Sequence, residues 1–155
     1  KAARYFRLVA DKGDAEGQFS IASYYARSVG GLPVDQSEAA RFNRLAADQG
    51  LANAQFNLAC CYGVGVGVAQ NDIEAARYYQ LAADQGHVDA MYNIAGRYHK
   101  GVAQNYSEAA RYYRLAADEG HAIAQHNIGT TLINGTWTLH DPLKAMRYYR
   151  LAADQ

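Results

Sequence analysis

Several residues of this 155-residue chain have the types and spacings that do chemistry. Gly63, Val64, Gly65, Val66 and Gly67 alternate like a phosphate cradle. They follow a helical pattern and not a strand, and no Gly-Lys-Ser/Thr comes after them, so the nucleotide-binding contexts fail and a flexible loop is expected. His121 and His126 are five apart and fall on different helix faces, with no cysteine or acid to complete a zinc set. His87 and His121 open helices and are expected to be solvated. Ser20 and Ser23 sit on a helix face with no nucleophile motif around them. Cys60 and Cys61 are the two cysteines. As helix neighbours they point about 100° apart, which suits packing better than a redox pair. These patterns give no catalytic residue, no cofactor and no metal, and the expectation is a protein that is not an enzyme.

What positions these residues is a repeat. Arg4, Arg41, Arg77, Arg111 and Arg147 lie in near-copies of one segment, 37, 36, 34 and 36 residues apart. Nine residues after the first four stand Gly13, Gly50, Gly86 and Gly120. Seven residues later come Ser20, Asn57, Asn93 and Asn127. All length variation falls between that position and the next arginine, so one turn is fixed and the other absorbs the changes. Lys+Arg 15 balance Asp+Glu 15, which argues against nucleic acid as a partner. No apolar run approaches the ~20 residues of a membrane span, so membrane insertion is not expected. The chain begins and ends inside a repeated segment, from which a piece of a longer protein is expected, and the compartment is left open.

The arginine segment, helix B, starts at Asp35, Asn71, Asn105 and Asp141, residue types that cap helices. Glu38, Glu74 and Glu108 three residues on approximate a capping box, and Lys144 breaks it in the last copy. Pro142 suits the first helical position, and the glycine suits a left-handed C-terminal stop. Ala39, Asn43 and Ala46, like Ala109, Tyr113 and Ala116, form an apolar face that Leu45, Leu81 and Leu115 widen; Asn43 conflicts with it. Helix A follows the glycine, with the register Gly17, Ile21, Ala22, Tyr25; Ala54, Leu58, Ala59, Tyr62; Ala90, Ile94, Ala95, Tyr98; and Ala124, Ile128, Gly129, Leu132. Small residues there let helices approach closely. Of the 13 tyrosines, those at 25, 62, 79, 98, 113 and 149 follow the core register. Arg44–Asp48, Arg114–Asp118 and Arg150–Asp154 are spaced for surface ion pairs. Glycine-rich connections span 28–36, 63–70, 101–104 and 135–140, the last holding Trp137. Nine helices and no strand are expected.

The pattern Ala-x-x-Asn-(Leu/Ile)-(Ala/Gly)-x-x-Tyr-x-x-Gly followed by Glu-Ala-x-x-Tyr-Tyr-x-x-Ala-Ala-x-x-Gly resembles the Sel-one-like repeat (SLR), a relative of the tetratricopeptide repeat. Ser20, Asn43, Leu132 and the last connection depart from it. The resemblance implies an all-α fold, an alpha-alpha superhelix: a right-handed solenoid of antiparallel helix pairs. A single domain over 1–155 would hold a lone helix B (1–13) and repeats at 14–49, 50–85, 86–119 and 120–155. It also implies an adaptor that binds a protein or peptide in a concave groove lined by the A helices. Carried over from the tetratricopeptide arrangement, the groove positions are Glu16, Phe19, Ser20 and Ser23; Asn53, Phe56, Asn57 and Cys60; Asp89, Tyr92, Asn93 and Gly96; and Ile123, His126, Asn127 and Thr130. Arg27, His99 and Lys100 lie a turn further on. Phe19, Phe56, Tyr92 and His126 would make an aromatic ladder, and the Ser/Asn row beside it serves either to bind a ligand or to stitch repeats.

Two other readings stand beside the scaffold: a purely architectural segment of a longer array and, more distantly, an enzyme. A binder leaves its aromatic ladder exposed as a patch; an architectural segment covers it. Terminal repeats with apolar outer faces fray or associate end to end. Amide hydrogen exchange should therefore show weaker protection over 2–10 and 143–153 than in the middle repeats; uniform protection in a demonstrated monomer contradicts this, and concentration-dependent association indicates stacking of copies.

Overall fold

The computed structural model describes residues 2–27, 33–100, 105–136 and 138–154, with side chains from Arg7 onward. The expectations placed on residues 28–32 and 101–104, on Trp137 and on the Arg4 side chain lie outside the described residues. Among the described residues there are nine helices and no strand. The chain divides into two compact units, Lys1–Gln85 and Gly86–Gln155. The first holds α1 (Ala2–Asp11), α2 (Ala15–Arg27), α3 (Gln36–Asp48), α4 (Ala52–Val64) and α5 (Asp72–Asp84). The second holds α6 (Val88–Lys100), α7 (Tyr106–Asp118), α8 (Ala122–Asn134) and α9 (Pro142–Ala153). In the first unit α2 and α4 each pack on the B helices before and after them; in the second α8 packs on α7 and α9, and α6 packs on α7.

The helix ends follow from residue chemistry. Asp35, Asn71, Asn105 and Asp141 cap their helices by accepting the N–H of the residue three positions on. The glutamates at that position do not reach back to complete a capping box. They run forward instead, Glu38 to Arg41 at 2.8 Å, Glu74 to Arg77 at 2.9 Å and Glu108 to Arg111 at 3.0 Å. The Arg41 guanidinium thereby holds the Glu38 carboxyl below its ordinary pKa. The N–H of each capping residue goes to the preceding A helix: Asp35 to the Tyr25 carbonyl, Asn71 to Tyr62, Asn105 to Tyr98 and Asp141 to Leu132, all at 2.9–3.1 Å. At the other end, Gly13, Gly50, Gly86 and Gly120 have φ of 88–92°, a left-handed stop that a Cβ would strain.

The core is built of small and branched residues. Ile21, Leu58 and Ile128 are fully buried, each contributing about 2 kcal/mol. Ala54, Ala59, Ala90, Ala95 and Ala124 have no exposed surface, so neighbouring helices approach closely. Two aromatic rows fill the remaining space. Tyr25, Tyr62 and Tyr98 of the A helices lie flat on Phe42, Tyr78 and Tyr112 of the B helices, centroids 6.0 Å apart and 8–10° from parallel. The repeated arginines Arg41, Arg77 and Arg111 sit over the latter rings at 4.1–4.3 Å.

Several expectations need correcting. Leu45, Leu81 and Leu115 are each 39% exposed, because the ring one position after the arginine takes the interior place. Asp48 and Asp118 do not pair with Arg44 and Arg114; they accept from the hydroxyls of Tyr78 (3.4 Å) and Tyr148 (2.7 Å) on the next B helix. The glycine stretch after α4 is packed: a Cβ on Gly67 would come within 2.0 Å of the Gln36 carbonyl oxygen. Asn43 is buried as the pattern requires of its position, with its Oδ1 lacking a partner.

Glutamine supplies a link that the spacing analysis did not single out. Gln18, Gln55 and Gln125 are buried and donate to the carbonyls of Ala10, Ala47 and Ala117 on the preceding B helix. Gln49 and Gln85 in turn donate to Gln18 and Gln55 at 2.8 and 2.7 Å. These amides tie each A helix to the B helices on either side of it in the first unit.

Burial, and then the Asp118 carboxylate, push the Tyr148 hydroxyl up to about 12. In the unfolded chain a tyrosine ionises near pH 10. The stability from neutral, hydrogen-bonded Tyr148 is therefore fully present below about pH 10 and declines as pH rises toward 12. Urea unfolding across that window should weaken with pH more steeply in the parent than in Tyr148→Phe; superimposable profiles contradict the assignment.

Candidate partner-binding face

None of the groove positions is buried. In the first unit Glu16, Arg27 and Asn53 are exposed, and Phe19, Ser20, Ser23, Phe56, Asn57 and Cys60 are half-buried. In the second, Asp89, Lys100, Ile123 and His126 are exposed, while Tyr92, Asn93, Gly96, His99, Asn127 and Thr130 are half-buried. Spacing by three and four residues puts each set on one side of its helix, away from the fully buried alanines and branched residues.

The aromatic ladder is propped from beneath. Phe56 meets Tyr79 at 5.9 Å, Tyr92 meets Tyr113 at 5.7 Å and His126 meets Tyr149 at 5.4 Å, with the planes tilted 56–58° in each case. The supporting ring is the second aromatic of helix B, in the position that Asn43 takes in the first repeat. The supporting hydroxyls reach further along helix A: Tyr79 donates to Cys60 Sγ at 3.3 Å, and Tyr149 lies 3.0 Å from Thr130 Oγ1. At Gly96 an added Cβ would stand 3.7 Å from the Tyr113 hydroxyl. Phe19, Phe56 and Tyr92 are thus half-buried and His126 is exposed, neither the open patch of one expectation nor the covered row of the other.

The amide row is varied. Asn93 donates to the Asp89 carbonyl of its own helix at 2.7 Å, whereas Asn127 bonds the Tyr113 hydroxyl. Burial raises Tyr113 above the ordinary tyrosine range. Burial does the same to the Cys61 thiol, which therefore stays protonated and poorly nucleophilic near neutral pH.

His87 and His121 are not merely solvated residues at helix starts. Each ring caps its helix, Nδ1 accepting the N–H of Ala90 at 3.3 Å and of Ala124 at 3.1 Å. A ring that accepts at Nδ1 carries its proton on Nε2, and in His121 that nitrogen faces the Asp89 carboxylate at 3.7 Å. The His121 ring also stacks on Tyr92 at 4.5 Å and 15°. Asp89, Tyr92 and His121 therefore form a braced polar-aromatic cluster, in which both imidazole nitrogens are engaged and neither is placed as a free base. His121 was missed as part of this face; its place immediately after the turn glycine was the available signal.

Among the described residues, no group of three His, Cys, Asp or Glu converges as a metal site, and no helix is long and apolar enough to cross a membrane. The A-helix positions carry aromatic edges, amides, hydroxyls and charges.

Comparison with solved structures bears on the fold. The crystal structure of c5321, a protective antigen present in uropathogenic Escherichia coli strains displaying an SLR fold, matches with a TM-score of 0.96 and 27% identity. The match covers 99% of this chain and 33% of that one. A Sel1 repeat protein from Oxalobacter formigenes matches with a TM-score of 0.89 and 26% identity, over 99% of this chain and 61% of the other. The chain thus spans about a third to three fifths of the length of these solved relatives. A comparison with curated proteins gave no match. The Sel1 repeat profile matches residues 15–51, 52–87, 88–121 and 122–155. With four such matches laid over its helix pairs, the chain belongs to the Sel1 repeat family, whose fold is an all-helical repeat of the solenoid class.

Proposed function

We propose that this chain is a protein-interaction scaffold whose partner polypeptide docks on the A-helix faces, through Phe56 and its neighbours in the first unit and Tyr92 and its neighbours in the second. Sel1 repeats are typically protein-interaction scaffolds, generally non-catalytic. The observation that carries the reading is an asymmetry between constant supports and varied tips. On the B helices Glu38–Arg41, Glu74–Arg77 and Glu108–Arg111 repeat with the same geometry. On the A helices the equivalent positions are Glu16, Asn53, Asp89 and Ile123, or Ser23, Cys60, Gly96 and Thr130. A surface varied over a fixed frame suits a ligand that does not itself repeat. Rings held by Tyr79 and Tyr113 lose little freedom on binding, which favours affinity.

The half-burial of those same rings favours a second reading, an architectural segment whose partner docks elsewhere. An affinity capture with quantitative mass spectrometry separates the two. Phe56→Ala with Tyr92→Ala should weaken partner binding by roughly 2 kcal/mol or more, the scale of central aromatic contacts. Asn53→Arg, a change at an exposed position, should weaken it while leaving the thermal midpoint in place. Retention of the partner by all of these variants, with loss on altering Arg41 and Arg77, contradicts the A-face reading.

A further inference from the structure

Gly17, Gly96 and Gly129 lie within A helices, and packing accounts for the first and the last. A Cβ on Gly17 would come within 2.7 Å of Val9 Cγ1, and one on Gly129 within 3.1 Å of the Tyr149 ring. A Cβ on Gly96 would meet nothing closer than the Tyr113 hydroxyl at 3.7 Å, an ordinary contact. Glycine in a helix interior costs stability relative to alanine, and among the described residues no neighbour requires it at this position.

The counterparts of Gly96 are closed by side chains. Ser23 Oγ donates to the Phe19 carbonyl at 3.2 Å, Cys60 Sγ accepts from Tyr79 at 3.3 Å, and Thr130 Oγ1 donates to the His126 carbonyl at 3.1 Å. Gly96 has no side chain to do this, and the Tyr113 hydroxyl nearby is bonded by Asn127 of the next A helix. The half-buried Gly96 thus leaves a notch one Cβ deep in the helix surface. A notch that shallow holds no side chain but lets another main chain approach closely.

Asn93 stands one turn before Gly96 on the same side of α6. Its Nδ2 donates at 2.7 Å to the Asp89 carbonyl, which can only accept, so the amide orientation is fixed and Oδ1 is presented as an acceptor. No donor among the described residues is bonded to that oxygen. The last turn of α6 holds Arg97, His99 and Lys100 and no acid, and Lys100 is exposed. We propose that an extended, acidic segment of a partner polypeptide crosses α6 main-chain-first at Gly96. It donates a main-chain N–H to Asn93 Oδ1 and sets an acidic side chain against Lys100, where the charges are complementary. This crossing rests on the A-helix reading above and names what that face recognises in the third repeat.

The probe is a peptide enriched on the full chain from a phage-displayed random library, then synthesised and titrated by fluorescence anisotropy. It should carry Asp or Glu and bind the parent with a Kd below about 100 μM. Gly96→Ala should raise the thermal midpoint and yet weaken the peptide, and Gly96→Leu should weaken it at least about tenfold with the circular dichroism still helical. Methylating one main-chain nitrogen of the peptide should weaken it at least about fivefold, the worth of one hydrogen bond, on the parent but not on Asn93→Ala. Equal binding to the parent and Gly96→Leu overturns the proposal. So does a peptide without an acid, a methyl scan with no position that depends on Asn93, or a library that yields no peptide of that affinity. A peptide indifferent to Gly96→Leu but lost on Phe56→Ala with Tyr92→Ala leaves the A-helix face standing and removes only the crossing; indifference to both removes the face as well.

Discussion

The structure depends on a flat pair of rings inside the repeat. Tyr25 on Phe42, Tyr62 on Tyr78 and Tyr98 on Tyr112 hold helix A to helix B at the same distance and angle each time. Such a pair contributes about 0.5–1.5 kcal/mol beyond the burial of its area. The carbonyl of each A-helix tyrosine also takes the N–H of the residue that caps helix B. One residue thus fixes where the second helix lies and where it starts. The arginine of helix B covers the helix-B ring of the pair and is held there by its glutamate. In the last repeat the backbone half of this device persists through the Leu132 carbonyl while the ring is gone.

The second ring of helix B does a different job. Tyr79, Tyr113 and Tyr149 stand beneath Phe56, Tyr92 and His126 and meet them at nearly the same tilt. Architecture and the proposed recognition face are therefore not alternatives written on separate residues. The same tyrosine that packs the repeat also stiffens the ring above it. Freedom to vary is left to the tips, where changes of charge and size cost little folding stability.

Much of this was legible in the sequence because the repeat reports its own geometry. Invariant distances from arginine to glycine and from glycine to the Ser/Asn position locate helix ends, and the Asx residues and Pro142 locate helix starts. What the spacing did not give were relations between adjacent positions. Periodicity selects a face about 100° wide, so it assigned Leu45 to the interior and overlooked Phe42, although the ring, with its larger area, takes the buried place. The recurring Gln18, Gln55 and Gln125 were visible but polar, and a polar residue announces burial only when its partner is known. For Gln55 that partner is the Ala47 carbonyl eight residues back in the chain. The histidine caps were missed for a related reason, since imidazole is a less common cap than Asp, Asn or Ser.

The central claim, that the intra-repeat ring pair is a specific coupling and not simple area burial, is tested most directly by a double-mutant cycle on Tyr62 and Tyr78. Urea unfolding of the parent, Tyr62→Leu, Tyr78→Leu and the double variant isolates the pairwise energy. The account predicts a coupling of about 0.5–1.5 kcal/mol, because either single change forfeits the stack. Strict additivity, with the double variant losing the sum of the two single changes, would show that the rings act independently and contradict it.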